Sequence, residues 1–285
     1  MMRKNTTAVA DRLGVLPKYR SAFLGMSMDE ASHTYTVPGV GAGMESVTTK
    51  IQRVYNKDFK AGNISTTVKA YRAGVEAYEP TTTASGKQFH VVPIEDIDGI
   101  DEVATEAVQK NLEWYGNRGT AIHTAIETHD TAGQYGSYVK AVDAWFESHD
   151  HVGELLAHEV MIYHPDAGYA GTIDGVGIGP DGGLIIWDYK SGQKAPDHLI
   201  QLGGYASALT ALTGRELSRG YVCYLKDYLR PPKKDVYLGG PGVKEKSTAA
   251  CQTCVVNGLG KGGKNVEVWS WILGLDDWKR SKPWE

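Results

Sequence analysis

Asp188 and Lys190 stand two residues apart at the end of "LIIWDYKSGQ" (residues 184–193), behind four apolar strand formers. A strand carries residues i and i+2 on one face, so a carboxylate and an ammonium meet where burial makes charge costly. Two more carboxylates lie upstream in strand-like runs, Glu159 in "ELLAHEVMIYH" and Asp174 in "GYAGTIDGVGIG". The turns between these runs predict their register. "PDGG" is centred near Asp181, equidistant from Asp174 and Asp188, which therefore face each other. "PDAG" is centred between Asp166 and Ala167, which pairs Glu159 with Asp174. Facing side chains sit about 5 Å apart at Cβ, so the three carboxylates repel one another. A hard divalent cation with oxygen ligands, Mg²⁺ or Mn²⁺, is the partner that relieves them. Lys190 offers a point charge suited to phosphate oxygens or a developing hydroxide.

Two helical pairs add to this set. "RGTAIHTAIE" puts His123 and Glu127 four residues apart on one helix face, and imidazole is a common metal ligand. "QLGGY" does the same for Gln201 and Tyr205. Each pair alone is ordinary: a helical histidine is more often a hydrogen-bonded core or surface residue, and an amide beside a phenol is usually packing.

The elements that must position these residues follow from period and turn chemistry. Apolar residues recur at helical spacing from about Asp101 to Glu127 and again from Tyr135 to Ser148. Three strands separated by the two turns come next, then a helix over "DHLIQLGGYASALTALTG" and a strand in "GYVCYLKD". Upstream, "SHTYTVPG" alternates like a short strand, and "SVTTKIQRVYNKDF" and "STTVKAYRAGVEAY" read as helices, with residues 80–98 a loop. "NVEVWSWILGL" alternates and predicts a last strand. The fold class is therefore α/β, with a central mixed sheet, an antiparallel meander plus a further strand, flanked by helices. The expected organisation is an N-terminal extension over 1–24 and a main domain over 25–230. A Gly/Lys-rich loop or insertion over 231–264 and a C-terminal strand and tail over 265–285 follow.

Taken in order, "RGTAIH", "HE" ending in Glu159, "GTID", "DYK" and "QLGGY" resemble the motif set of the RecB-type branch of the PD-(D/E)XK nucleases. The likeness extends from about residue 25 to 226, and "SHTYTVPGVGAGMESVTTKI" is similar to an upstream segment of phage members. The resemblance implies a restriction-endonuclease-like core and phosphodiester hydrolysis with Mg²⁺ or Mn²⁺. It implies His123, Asp174, Asp188 and the Tyr189 carbonyl as metal ligands, with Glu159 at or just outside them. It implies Lys190 as the group that orients the attacking water, and Gln201, Tyr205 and Arg118 as contacts to the DNA strand. The expected activity is that of a DNA exonuclease acting on ends in recombination, repair or phage replication. A structure-selective endonuclease with the same site, and a DNA-binding recombination factor with a vestigial centre, are the alternatives. A metal-stabilised scaffold without nucleic acid is a third. Implied partners are DNA ends, single-stranded ones included, and a single-strand annealing or recombination protein. A homo-oligomer is a further implication, since processivity without a motor needs a ring or channel.

Composition narrows the classes. The chain has 285 residues, a formal net charge of -4 and a pI near 6.1, which disfavours non-specific coating of nucleic acid but not a local grip through cations. No apolar run reaches the roughly 20 residues of a membrane span, and "MMRKNTTAVADRLGV" lacks the apolar stretch of a signal peptide. A cytoplasmic location, in a bacterium or a phage-infected host, is the expectation. Three cysteines, none upstream of the motifs, argue against the four-cysteine iron–sulfur cluster of some relatives. Cys251 and Cys254 have the spacing of half a zinc site, but no second pair of Cys or His follows, so they read as ordinary thiols. "GLGKGGKN" lacks the Ser/Thr of a phosphate-binding loop and points to no ATPase. Its lysines, with Lys244 and Lys246, form either a basic flap near DNA or a solvated loop.

Overall fold

A computed structural model describes residues 5–54, 68, 70–82, 85–86, 88–147, 152–192, 194–226, 250–257 and 264–280. The chain divides into two compact units: Met1–Asn56, His123–Asp227 and Ala249–Glu285 form the first, Lys57–Ile122 and Tyr228–Thr248 the second. The first opens with helices α1 (Thr7–Leu13) and α2 (Pro17–Leu24). A three-stranded antiparallel sheet of β1 (Ser27–Asp29), β2 (Thr34–Val37) and β3 (Gly41–Glu45) follows, then helix α3 (Val47–Val54). In the second unit, a ribbon of β4 (Pro80–Thr82) and β5 (Gln88–His90) precedes the long helix α4 (Ile97–Glu127). From His123 onward α4 belongs to the first unit. That unit continues through α5 (Gly136–Glu147), β6 (Glu154–His164), β7 (Tyr169–Ile178), β8 (Leu184–Lys190) and α6 (Pro196–Thr213). It ends with β9 (Leu217–Lys226), β10 (Ala250–Asn257) and α7 (Lys264–Arg280).

The central sheet has the order β10-β9-β8-β7-β6, antiparallel except for the parallel β8–β9 pair. The β6–β7 and β7–β8 hairpins turn at the proline-aspartate-glycine segments. Gly168 and Gly182 take left-handed φ of 62° and 77°, which only glycine adopts without cost, and Asp181 Oδ1 accepts the Gly183 N–H at 3.0 Å. The ladders have the register that the turn centres predict. β7 and β8 pair from Ile178↔Leu184 to Gly175↔Trp187, and β6 and β7 pair from His164↔Tyr169 to Val160↔Ile173, resuming at His158↔Gly175.

Alternate residues of the inner strands serve opposite faces. Trp187 and Tyr221 pack on Trp145 of α5, with ring centroids 5.9 and 5.8 Å away. Ile186 and Val222 join Leu202 and Leu209 of α6 in the main core. Close approach explains three glycines of the motif segments. A Cβ on Gly175 would lie 1.9 Å from the Trp187 ring, one on Gly171 2.6 Å from the Tyr205 ring, and one on Gly204 3.0 Å from both Trp269 and Val47. Among the described residues, no helix is long and apolar enough to cross a membrane.

Four expectations need correction. Residues 5–24 are not a mere extension: Ala10, Leu13 and Phe23 are in the core, and polar side chains of this segment close the β6 edge. Asn5 donates to the Met161 carbonyl at 2.8 Å and accepts its N–H at 3.2 Å, while Arg12 caps the carbonyls of Leu155 and Leu156. These bonds satisfy ladder groups of Met161, Leu155 and Leu156 that an edge strand otherwise leaves open. Residues 80–98 hold β4, β5 and the start of α4 rather than loop alone. Within 231–264, Ala250–Asn257 is a strand paired with β9, and α7 begins at Lys264; Lys244, Lys246 and Lys261 lie outside the described residues. The segment expected as a last strand is α7. Its alternation is incidental, because the buried residues Trp269, Ile272 and Asp276 follow helical spacing.

Asp276 is fully buried, and its two oxygens meet Arg53 Nη1 at 2.7 Å and Lys50 Nζ at 3.0 Å, both cations belonging to α3. Arg53 also pairs with Glu45. Burial pushes the Asp276 carboxyl up, but hydrogen bonds from Lys50 and Arg53 carry it below the ordinary value. A depressed carboxyl stabilises the fold above its unfolded pKa and loses that contribution as pH falls through the folded one. Asp276→Ala leaves Lys50 and Arg53 only Glu45 to share and is expected to cost about 3 kcal/mol in urea unfolding at neutral pH. The gap from wild type should narrow as pH falls below about 4; a gap independent of pH would refute the assignment. Gly175→Ala is expected to cost about 3 kcal/mol by overpacking against Trp187, read as a lower unfolding midpoint.

Candidate metal centre

The carboxylates sit where the β7–β8 ladder stops. The next pair beyond Gly175↔Trp187 would be Asp174 and Asp188, but the Tyr189 N–H donates to Asp174 Oδ2 at 2.6 Å instead of to a β7 carbonyl. A side chain thus takes a ladder donor, and the strands part around the site. On the other side, Glu159 interrupts the β6–β7 ladder with a left-handed φ of 48°. That conformation costs a residue with a Cβ about 1–2 kcal/mol, strain of the kind that collects at functional positions.

His123, on the last turns of α4, brings Nδ1 to 3.6 Å from Asp174 Oδ1 and 3.9 Å from Glu159 Oε1. One donor atom from each of His123, Glu159 and Asp174 lies within 4.8 Å of the others. One imidazole and two carboxylates are a donor set that suits Mn²⁺ or Mg²⁺, carboxylates being the hard oxygen ligands both prefer. Asp188, 2% exposed, stands beside this trio and pairs through Oδ2 with Lys190 Nζ at 2.6 Å.

Electrostatics bind the two halves together. Burial lowers the His123 pKa, but Asp174 and Glu159 outweigh it and raise it to about 10. Burial raises Asp174, while His123, Lys190 and the Tyr189 N–H bring it below the ordinary value. Asp188 is pushed up to about 6, chiefly by burial, with Asp174 adding to the rise and Lys190 opposing it. Lys190 is depressed by burial and raised further by Asp188, Asp174 and Asp197, so it stays charged.

Gln201 and Tyr205 share one face of α6, and Gln201 Nε2 donates to the Tyr205 hydroxyl at 2.7 Å. Burial, and then the charge of Asp188, keep the Tyr205 phenol well above its usual pKa. Tyr189 is buried; its N–H is used on Asp174, and its hydroxyl accepts the Trp187 indole N–H at 2.9 Å. Arg118 lies in the second unit, its guanidinium carbon 5.8 Å from the Trp114 ring centroid. Two neighbours, Tyr35 and Asp197, were not singled out by the sequence. Tyr35 of β2 shares a hydroxyl contact with Thr172 at 3.0 Å and acts on the Tyr205 phenol, and Asp197 acts on Lys190. Only the "TYTV" alternation hinted that Tyr35 was placed by a strand.

At neutral pH the metal-free His123 holds a proton, a stabilising contribution present below the ordinary pKa of about 6.5 and lost as pH rises through about 10. A cation taking the imidazole must displace that proton. Mn²⁺ binding is therefore expected to release about one proton and to tighten about tenfold per unit between about pH 6.5 and 8.5. Calorimetry in buffers of different ionisation heat measures this, and proton-neutral binding would count against His123 as a ligand. Comparison with known families finds no protein-family model that matches this chain, and no curated protein matches it.

Proposed function

We propose that this protein is a metal-dependent DNA nuclease of the RecB-type PD-(D/E)XK class, hydrolysing phosphodiester bonds at DNA ends. The observation that carries the reading is the convergence of His123, Glu159 and Asp174 within 4.8 Å, with the Asp188–Lys190 pair on the neighbouring strand. The motif resemblance supports it, as does the sheet, a meander of β6, β7 and β8 extended by parallel β9. Trimming of ends in recombination, repair or phage replication is the setting this reading gives.

His123, Glu159 and Asp174 would hold Mg²⁺ or Mn²⁺, with Asp188 and the Tyr189 carbonyl as the further ligands the resemblance implies. The ion when bound polarises the phosphate and lowers the pKa of its water. Lys190 has a different task. Its raised pKa makes it a fixed cation rather than a base at neutral pH, so it orients the attacking oxygen and offsets charge developing on the phosphate. The Asp188 ion pair keeps that ammonium on the strand face. Tyr205, held protonated, donates its hydroxyl hydrogen toward a phosphate oxygen, with Gln201 fixing the phenol from behind.

The test uses wild type, Asp188→Asn and Lys190→Met on end-labelled linear and covalently closed DNA, with Mg²⁺, Mn²⁺ or EDTA. Linear DNA should be shortened from its ends in either metal and untouched in EDTA. Each variant should lose on the order of 10²–10³ in kcat while remaining folded by circular dichroism. Cleavage that survives EDTA or both substitutions would sink the mechanism, and cutting of closed circles would replace the exonuclease with an endonuclease.

A further inference from the structure

Gln201 has one amide nitrogen and therefore two N–H donors. One goes to the Tyr205 hydroxyl at 2.7 Å, and the other to Thr48 Oγ1 at 3.2 Å. Thr48 is an exposed residue of the first turn of α3, far from Gln201 in sequence, and it lies in the upstream "SVTTKI" stretch rather than in the motifs around the carboxylates. Both contacts use the nitrogen, so they fix the rotation of the amide plane, which a single hydrogen bond does not.

α3 is held firmly enough for this task. Ser46 caps it, its Oγ accepting the Thr49 N–H at 3.0 Å. Val47 is fully buried and lies where a Cβ on Gly204 of α6 would come within 3.0 Å of it, so α3 rests on α6 with no space between. At its other end Lys50 and Arg53 grip Asp276 of α7. Thr48 is thus carried by a helix anchored to both neighbours, while its own side chain is outside the core.

Resting on the nuclease reading above, we propose that Thr48 is a positioning residue for the hydrolysis. Its oxygen locks the Gln201 amide, and the amide in turn makes the Tyr205 oxygen an acceptor. The Tyr205 proton is thereby turned away from Gln201 and toward the reacting phosphate. Valine matches threonine in shape but offers no acceptor, so Thr48→Val frees the amide without altering packing, and Thr48→Ser restores the oxygen.

Two measurements on the full chain test this. In ¹⁵N spectra without metal or DNA, the Gln201 side-chain signals, identified by their loss in Gln201→Glu, should shift in Thr48→Val and return in Thr48→Ser. On linear DNA with Mg²⁺, Thr48→Val should lose about tenfold in kcat with KM changed less than about twofold, and Thr48→Ser should recover to within about twofold of wild type. Melting temperatures should match throughout, separating positioning from a structural role. Unmoved Gln201 signals, a wild-type kcat in Thr48→Val, a loss in Thr48→Ser as large as in Thr48→Val, or a loss explained by a smaller folded fraction would each overturn the proposal. A wild type that cuts no DNA overturns the nuclease reading and the catalytic half of the proposal together, while the Gln201 signals still report on the hydrogen bond alone.

Discussion

The hydrogen bond from the Tyr189 N–H to Asp174 Oδ2 is the interaction around which the site is arranged. It substitutes a side-chain oxygen for a strand carbonyl, so the β7–β8 ladder ends one pair early and Asp174 can lean toward His123. Buried carboxylates are costly, and here Asp174, Asp188 and Asp197 lie together with the partly buried Glu159 against the protonatable His123 and Lys190. The opposite shifts of Asp174 and Asp188 express that conflict. Asp174, facing two cations and a backbone donor, is held ionised; Asp188, deeper and beside another carboxylate, resists ionisation.

The rest of the first unit supplies rigidity to this arrangement. The Trp187 ring fills the space over Gly175, so the strand cannot slide where the carboxylates begin. The sheet edge at β6 is closed by Asn5 and Arg12, which fixes the strand that carries Glu159. On the α6 side, Gly171 lets Tyr205 lie against β7, and Gly204 admits Trp269 and Val47. The glycines of these segments are explained by contact: each is small because an aromatic ring or a helix needs the space.

The Lys50–Arg53–Asp276 cluster shows how a remote element enters the same structure. The buried aspartate of α7 holds two cations of α3, and α3 rests on α6. The cluster joins α7 to α3 through one buried carboxylate shared by two cations, and removing that carboxylate leaves them Glu45 alone. What it specifies is the placement of α3 against α6, the helix that bears Gln201 and Tyr205.

The meander was legible because its determinants are local. Two turns with fixed glycine conformations and a strand period of two set the register, and register alone brought Glu159, Asp174 and Asp188 to adjacent strands. The same period misled at the C-terminus, where alternating tryptophans form α7, because burial of Trp269, Ile272 and Asp276 against α6 and α3 outweighs the local pattern. The strand at Ala250–Asn257 was hidden for a similar reason: it is made by pairing with β9, not by its own sequence. Sequence by itself determined which strands hold the carboxylates and which side they share. Tertiary structure decided that Asp188 turns to Lys190 while Glu159 and Asp174 turn to His123, because those choices depend on desolvation and charge summed over α4, β6, β7 and β8, which no local spacing contains.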